Sequence, residues 1–393
     1  MPKILGQSIH IDNNLTAAKN QGICTGNGTY SNPYIIKNLI IEGGGTIVVE
    51  NSVEYFIIEN CSILNAYPKP GITLNYVHNA KLIKNNSSFH YYGIRVEFSS
   101  NITISGNNLD SNIKNILISR SNNITISRNS ANNNLFIGIS ISGSQHIIVS
   151  ENNVSYGDSG IYLSFSSYCT VSRNDADCNS YYGIKLENSA SNNVLENILY
   201  FNSIGIHIQG SSKNNISGNM MGGCGIFLLG GLFNYIDTTN LVNGRYVYFY
   251  RYEFHLTSKN FTNAGQIILD DCSSVKISNI NVSYSSYGVL LWYCSNITIF
   301  NTTSNNNERG IYAIGIDDSN ISRCVLNDNN EAGIWFGYCD NTIISQNVIN
   351  RNTGYRILLK ESYYNTIKYN ILYGNDVCIR EEDCVGNKFA YNK

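Results

Sequence analysis

The chain is poor in charged residues. Lys, Arg, Asp and Glu together make 14% of its 393 residues, against roughly 25% in an average globular domain. The formal net charge of −2 argues against a nucleic-acid binder, because such proteins carry a basic excess. Hydrophobic residues make 42% of the chain, which excludes intrinsic disorder, since disordered chains combine low hydrophobicity with high net charge.

Long apolar runs are also missing, and His and Met are scarce. No run approaches the roughly 18 residues of a membrane-spanning helix, so no membrane span is predicted. The six His and three Met form no cluster with Cys at ligand spacing, so the residues do not support a copper site. No cofactor is predicted. The 11 cysteines include no CxxC pair, which indicates neither a zinc ribbon nor a disulfide framework.

Asparagine and isoleucine are abundant instead, with 61 Asn and 54 Ile in the chain. Asn and Gly are poor helix formers, whereas Ile and Tyr favour strands. The composition therefore predicts an all-β protein in which Asn supplies much of the polarity.

A short motif, Gly-Ile-x-(Ile/Leu/Val), recurs with a period near 22 residues. Its copies begin at Gly71, Gly93, Gly138, Gly160, Gly183, Gly205 and Gly225, and again at Gly265, Gly288, Gly310, Gly333 and Gly354. Residues 115–118 fill the gap before Gly138. A second strand-like segment follows about eight residues after each copy, and apolar and polar residues alternate in both.

Strands this short bury no face as isolated hairpins, but stacked in register they form parallel sheets around an apolar interior. The repeat therefore predicts a single-stranded parallel β-helix, or solenoid. A column of asparagines recurs once per coil, and we expect their amides to bond from coil to coil. The predicted ladder consists of Asn107, Asn129, Asn152, Asn174, Asn197 and Asn219.

Three sequence features resemble right-handed parallel β-helix proteins of the NosD-like, carbohydrate-binding and sugar-hydrolase repeat class. They are the Asn-Ile-Thr-Ile repeats (residues 101–104, 123–126 and 296–299), the segment 26–36 and the segment 236–248. The resemblance implies the right hand of the coil. It is specific for the fold, and it says little about function because the repeats encode stacking.

The chain is interpreted as one domain. Residues 1–50 form an N-terminal cap and the first coils, and residues 51–393 form the β-helix. An irregular insert at about 231–264, rich in Tyr and Arg, interrupts the period.

Residues that point outward from neighbouring coils stack into columns, and two groups there depart from the small polar pattern. The first contains Tyr162, Lys185, Glu187, His207 and Gln209 on three successive coils. It places an acid, a base and a cation on one rigid surface, as sugar acid–base chemistry requires. A solvated Lys–Glu pair beside an ordinary histidine is the alternative.

The second group is Trp292, Tyr312 and Trp335, whose flat rings at coil spacing suit stacking on sugars. Packing under a loop or at a dimer contact is the alternative. Cys272, Cys294, Cys339 and Cys384 occupy one turn position, which indicates a column of stacked thiols.

Three functions remain open. The first is a carbohydrate-binding scaffold at the cell surface, with Tyr162, Gln209, Trp292, Tyr312 and Trp335 as binding residues. The second is a polysaccharide lyase, hydrolase or epimerase with Lys185, Glu187 and His207 as catalytic residues, and with Ca²⁺ as a possible cofactor of a lyase. The third is a NosD-like accessory or purely structural protein without a small ligand.

The predicted partner is a polysaccharide or another glycan, and the oligomeric state stays open. The N-terminus lacks the apolar segment of a signal peptide. An extracellular or cell-surface location therefore requires that a leader was removed, and a cytoplasmic location is the alternative.

Overall fold

The computed structural model describes residues 3–374 and 377–393, with side chains described from residue 6 onwards. The fold is nearly all β, with about 16 parallel coils of the β-solenoid type. The chain forms two compact units, which are described separately. The first contains Met1–Asn202, Ile206–Ile216 and Leu228–Tyr235, and the second contains Ser203–Gly205, Ser217–Phe227 and Ile236–Lys393. The prediction of a single domain stays a prediction.

The first unit has three stacks of strands, here called its front, side and back sheets. The front sheet contains Ile9–Asp12, Ile47–Ser52, Ile72–Ile83, Tyr92–Glu97, Lys114–Ser119, Ile137–Ser142, Ser159–Ser164 and Tyr182–Glu187. The side sheet contains Tyr34–Lys37, Phe56–Glu59, the end of Ile72–Ile83, Ser100–Ser105, Asn122–Ser127, Gln145–Ser150, Thr170–Ser172 and Asn193–Leu195. The back sheet contains Lys3–Leu5, Leu39–Ile41, Ser62–Leu64 and Asn86–Ser88. Isolated bridges continue this stack from Asn86 to the short strand Ile198–Tyr200.

One short α-helix, Leu15–Asn20, lies near the N-terminus. Five strands fall in the region where the sequence ranges of the two units alternate: Ile204–Gln209, Asn215–Ser217, Met220–Gly222, Ile226–Leu229 and Tyr235–Ile236. No helix in the described part of the chain is long and apolar enough to cross a membrane.

The register of the front sheet follows the repeat. Ile161 pairs with Ile184, and both side chains are fully buried. Tyr162 pairs with Lys185 one position further along and points outward. The period near 22 residues thus places equivalent positions of neighbouring coils side by side. Ile lies in the interior, and the variable residues lie outside.

The asparagine ladder is confirmed in the first unit. Asn129 Nδ2 donates to Asn152 Oδ1 at 2.9 Å and to the Ile104 carbonyl at 3.0 Å, and its Oδ1 accepts from Asn107 N and Nδ2. The same links connect Asn107, Asn129, Asn152, Asn174 and Asn197. In the second unit, Asn219 donates to Asn240 at 2.8 Å.

The left-handed backbone at this corner lies one residue before the ladder. Arg128, Glu151 and Arg173 have φ of 57°, 57° and 54°. The ladder asparagine therefore keeps its amide for hydrogen bonds to the neighbouring coils. The residue before it, which turns the chain, faces solvent.

The second unit has a front and a side sheet of its own. Its front sheet contains Arg245–Arg251, Ala264–Asp270, Tyr287–Trp292, Arg309–Ile314, Ala332–Gly337, Tyr355–Lys360 and Val377–Glu382. Its side sheet contains Lys276–Ser278, Thr298–Phe300, Asn320–Ser322, Ile343–Ser345, Thr366–Lys368 and Lys388–Ala390. Leu241–Val242 forms an antiparallel pair with the start of Arg245–Arg251, and Ser258–Phe261 is a 3₁₀ turn.

The predicted repeat start at Gly354 is wrong by two residues. Tyr355 pairs with Ala332, so Arg356 takes the position that glycine holds in the coil before. Consequently Arg380 and Glu382 of the last coil stack on Leu358 and Lys360. Cys272, Cys294, Cys339 and Cys384 each follow a front strand at the same offset, and all are free thiols. Of these, Cys272 and Cys294 lie in adjacent coils, whereas Ser362 separates Cys339 from Cys384.

Candidate functional site

The cluster predicted on the first front sheet forms in the structure. Tyr162 and Lys185 are paired in neighbouring strands, and Glu187 pairs with Ser164 two positions further along. The Gln209 carbonyl accepts the N–H of Asn188 at 3.0 Å, which places the His207–Gln209 segment in the next coil. Tyr162, Lys185, Glu187, His207 and Gln209 are here called the front cluster.

Glu187 is the centre of this cluster. Lys185 Nζ donates to Glu187 Oε1 at 3.0 Å, and the Tyr162 hydroxyl donates to Glu187 Oε2. Both bonds favour the ionised carboxylate, and they lower the pKa of Glu187, with the Tyr162 bond as the larger cause. Burial and the same bond raise the pKa of Tyr162 to about 12. Near neutral pH, Glu187 is therefore an ionised carboxylate that Lys185 and Tyr162 hold in place by hydrogen bonds, and Tyr162 keeps its proton.

Lys185 lies between two rings. Its Nζ is 5.2 Å from the centre of the Tyr162 ring and 5.4 Å from that of Tyr182. Cation–π attraction adds to the ion pair with Glu187 in fixing the amine. The Lys185 side chain is 17% exposed, so its charge still reaches solvent.

His207 packs beneath this pair. It is 6% exposed, and its ring centre lies 4.9 Å from that of Tyr182. Burial, followed by the charge of Lys185, lowers the pKa of His207 to about 4. The imidazole is therefore neutral at physiological pH, although Glu187 favours its charged form.

The geometry suits holding a ligand better than moving a proton. Glu187 is a weak base because both its oxygens accept hydrogen bonds, and His207 is covered. The surface presents one cation, one anion and a phenol ring in fixed positions. Gln209 lies beside them, half-buried, with an amide side chain.

The aromatic group predicted in the second unit also comes together, but it is largely buried. Trp292 and Tyr312 are each 7% exposed, and their rings meet edge to face at 5.5 Å. Phe227 covers them, with ring centres 6.2 Å from Trp292 and 5.9 Å from Tyr312. Trp335 alone of the three predicted residues is half-buried.

A cation occupies the space between these rings. The Arg309 guanidinium lies 4.5 Å from the Tyr312 ring centre and 5.1 Å from that of Trp335. It also makes a two-point ion pair with Glu331, at 2.7 and 2.6 Å. The flat faces that sugar stacking requires are therefore taken up inside the protein at Trp292 and Tyr312, and the predicted roles of the three rings stay a prediction.

A further set of rings was missed by sequence reasoning. Among the described residues of each unit, seven Phe or Tyr residues have a left-handed backbone and are at least half exposed. In the first unit they are Tyr76, Phe89, Tyr156, Phe165, Tyr168, Phe201 and Phe233. In the second they are Tyr252, Tyr284, Tyr293, Tyr338, Tyr364, Tyr369 and Tyr391. These residues are here called the corner rings.

Left-handed backbone costs a residue with a Cβ atom about 1–2 kcal/mol, and Asn or Gly bears it more easily. Some corner rings recover energy by stacking from coil to coil. Tyr76 stacks on Phe98 at 4.8 Å with 7° between the planes, and Tyr369 stacks on Tyr391 at 5.0 Å with 4°. Tyr293 lies over Gly315 of the next coil, where an added Cβ would approach its ring to 2.8 Å.

Phe165 is placed differently from these stacked rings. It follows the strand that carries Tyr162, it is 67% exposed, and its φ is 47°. Gly143 and Asn188 hold the same corner in the coils on either side, as the backbone hydrogen bonds Gly143 N to Ser164 O and Phe165 N to Glu187 O show. Phe165 therefore exposes apolar surface, and its left-handed backbone conformation is unfavourable for a residue with a bulky side chain.

Comparison with known proteins gives one family. The family model described as NosD, periplasmic copper-binding protein, matches residues 57–224 and 233–393. Among curated proteins, no sequence matches this chain.

Several solved structures resemble this chain at low similarity. DFA-IIIase from Arthrobacter chlorophenolicus A6, without its lid, is 14% identical over 61% of this chain and 66% of its own, with a TM-score of 0.44. The A-module of the mannuronan C-5 epimerase AlgE6 from Azotobacter vinelandii is 11% identical over 88% and 91%, with a TM-score of 0.34. Pectate lyase Pel9A is 11% identical over 62% and 68%, with a TM-score of 0.41. This chain thus spans about two thirds of the DFA-IIIase.

The residues do not fit the copper that the family description names. Within the described ranges, no three side chains of His, Cys, Asp or Glu come together in a way that could hold a metal ion. His90 is buried with Nδ1 accepting from Ala66 N at 3.2 Å and Nε2 3.0 Å from the Ile63 carbonyl, so its ring serves the fold. The described thiols and imidazoles supply no copper centre.

Proposed function

The chain belongs to the NosD family, and from that premise we propose that it is a carbohydrate-binding β-helix scaffold that holds a polysaccharide on its outer surface. Sugars are bound by flat rings that cover their C–H faces and by amides and hydroxyls that pair with their hydroxyl groups. The chain offers both kinds of group in repeated columns. The family description names the periplasm, and we place this chain outside the cytoplasm, at the cell surface or beyond it.

The observation that carries the proposal is the placement of the corner rings. Strained backbone conformations that persist in a structure point to functional positions, and exposed aromatic surface marks binding sites. Stacking repays the cost at Tyr76, where the neighbouring Phe98 ring contributes about 0.5–1.5 kcal/mol. Phe165, between Gly143 and Asn188, has no such neighbour in its column, so a ligand explains its ring better than stability does.

The front cluster adds polar recognition next to one of these rings. Phe165 directly follows the strand of Tyr162, and Lys185 and Glu187 lie on the next coil. A cation and a carboxylate in fixed positions can pair with the hydroxyl or carboxylate groups of a sugar. We therefore assign binding roles to Tyr162 and Gln209, and to Trp335 in the second unit.

The test is affinity gel electrophoresis of the full chain in gels that contain neutral or acidic polysaccharides. We expect retardation in at least one gel, and we expect the triple variant Tyr76→Asn, Phe98→Asn, Phe165→Asn to run faster in it. Asn suits the left-handed backbone of all three positions, so the variant should stay folded. The matched control Tyr76→Phe, Phe98→Tyr, Phe165→Tyr keeps the rings and should be retarded as before.

Equal mobility in every gel, with and without polysaccharide, would reject carbohydrate binding. That outcome would favour the third hypothesis, an accessory or purely structural protein without a small ligand. Retardation that the triple Asn variant retains in full would remove Tyr76, Phe98 and Phe165 from the binding surface.

Turnover by the front cluster is the second candidate function. The hydrogen-bonded trio of Tyr162, Lys185 and Glu187 favours it, because an acid, a cation and a carboxylate meet on one face. Incubation with the polysaccharide that is bound, followed by assay of new reducing or unsaturated chain ends, tests this function. Product that disappears in Glu187→Gln and Lys185→Met would establish a lyase or a hydrolase. An epimerase forms no new chain ends, so NMR analysis of the sugar composition before and after incubation tests for it. A wild-type chain that changes neither the chain ends nor the sugar composition would be a binding protein.

A further inference from the structure

A groove of about 370 Å³ lies in the first unit, away from the front cluster. Its floor is the outer face of the side sheet, where Ile57, Lys81 and Thr103 stack in register. Its wall is the loop 26–33, which contributes Tyr30 and Pro33. This loop belongs to the segment 26–36 that resembles the β-helix class in sequence, and neither the front cluster nor the corner rings use it.

The wall is held firmly in place. Gly26 has φ of +99°, and a Cβ atom there would lie 1.9 Å from the Pro33 carbonyl oxygen, so only glycine fits. The Gly28 carbonyl accepts the N–H of Tyr55 at 3.0 Å, which ties the loop to the next coil. A two-way bridge between Thr25 and Ile35, at 3.1 and 2.8 Å, closes its base. A ligand therefore meets a preformed wall and loses little binding energy to ordering it.

An aromatic pair forms the upper part of the groove. Tyr30 is 80% exposed, and its ring meets that of Tyr55 edge to face, with centres 5.5 Å apart and 84° between the planes. This contact supports the Tyr30 ring, most of whose surface stays open to solvent. An exposed, supported ring beside a groove suits stacking on the flat face of a sugar.

The polar groups of the groove favour an anion. Lys81 is exposed and carries the one charge among the described lining residues. Asn101 Nδ2 donates to Asn79 Oδ1, and Asn79 Nδ2 donates to the Val53 carbonyl at 3.0 Å, so the two amides at the rim are fixed in orientation. With a cation, two amides and the Thr103 hydroxyl, and without a lining carboxylate to repel it, the groove suits an acidic sugar.

We propose that this groove is a second binding site, which takes a carboxylated sugar of an acidic polysaccharide. The Tyr30 ring stacks on the sugar, Lys81 Nζ pairs with its carboxylate, and the amides at the rim bind its hydroxyl groups. The inference rests on the proposed carbohydrate-binding function and adds to it the charge class of the ligand.

Isothermal titration calorimetry of the full chain with an oligogalacturonate, and with its methyl ester as the neutral counterpart, tests this site. We expect Lys81→Met to weaken binding of the acid by about tenfold, as loss of a charge-assisted contact would, and to leave binding of the ester unchanged. Tyr30→Ala should weaken both ligands. Lys37→Met and Tyr235→Ala are matched controls, because both residues are exposed in the same unit and lie outside the lining.

The outcomes separate the two proposals. Binding that is unchanged in Lys81→Met and Tyr30→Ala, but weakened in the triple variant Tyr76→Asn, Phe98→Asn, Phe165→Asn, would overturn the groove and keep the scaffold. Binding of neither saccharide by the wild-type chain would overturn both. Equal competition by a polyglutamate peptide would also overturn the groove as a sugar site, because the groove would then bind any polyanion through charge alone.

Discussion

Lys185 and Glu187, two residues apart on one strand, form an ion pair of 3.0 Å whose charges act in opposite directions on the buried ring of His207. The Lys185 charge lowers the pKa of His207 and the Glu187 charge raises it. We expect Lys185→Met to raise the pKa of His207 and Glu187→Gln to lower it. Titration of the His207 ring protons by NMR measures both changes.

Arg95 and Glu97 form the same kind of pair on a front strand four coils away, at 2.6 Å. Arg95→Met is the matched control and should leave the His207 titration unchanged. A shift of the same sign in Lys185→Met and Glu187→Gln would contradict the arrangement described for the front cluster.

Stability of the chain should fall as the pH drops from about 6.5 to about 4. The pKa of His207 is lowered to about 4 in the folded protein, against about 6.5 in an unfolded chain. Between these values the unfolded state binds more protons, so acid favours unfolding. The loss is on the order of 3 kcal/mol for His207, and His90 shifts in the same direction. Urea unfolding at several pH values checks this, and His207→Gln should flatten the profile over that range.

Removal of one amide from the asparagine ladder should be costly. Asn129→Ala leaves the Ile104 carbonyl and Asn107 N without their partner and interrupts the link to Asn152. Each unsatisfied buried group costs about 1–3 kcal/mol, so we expect a loss of about 3 kcal/mol in the free energy of unfolding. Asn122→Ala, at an exposed position in the same coil, is the control. A similar loss of unfolding free energy in both variants would show that the ladder asparagine contributes no more to stability than an exposed asparagine does.

Replacement of a lone corner ring should stabilise the protein. Phe165 has φ of 47° and is 67% exposed, so Phe165→Asn relieves backbone strain and gives up little packing. We expect a gain of about 0.5–1 kcal/mol, measured as a higher midpoint in thermal unfolding. Tyr76→Asn, which breaks the stack with Phe98, should gain less or lose stability. A clear loss in Phe165→Asn would show that the ring packs for the fold.

The repeat spacing predicts most of the fold and the front cluster. The steps between Gly138, Gly160 and Gly183 align Tyr162 with Lys185, and the structure has that register. Periodicity succeeds here because each coil pairs only with its neighbours, so local spacing determines lateral contact.

Periodicity fails where a residue type that the motif does not contain occupies a position of the motif. Arg356 occupies the glycine position, so the motif at Gly354 misplaced the last coils by two residues. Periodicity also gives no account of what covers an outward residue. Leu290 is an outward position by pattern but is fully buried, and Phe227 closes over Trp292 nearby. The corner rings carried a usable signal, since Phe165, Tyr293 and Tyr338 each directly follow a front strand.

The asparagine ladder of the first unit has a direction, because in each Asn-to-Asn link the amide nitrogen of one coil donates to the amide oxygen of the next coil. A coil of full length, added or removed as a unit, would present the same donor and acceptor to its neighbours, and the row would close again. A partial coil would set a different residue against the asparagine and leave buried groups unpaired. The number of coils in the stack can therefore be changed by protein engineering, one whole coil at a time.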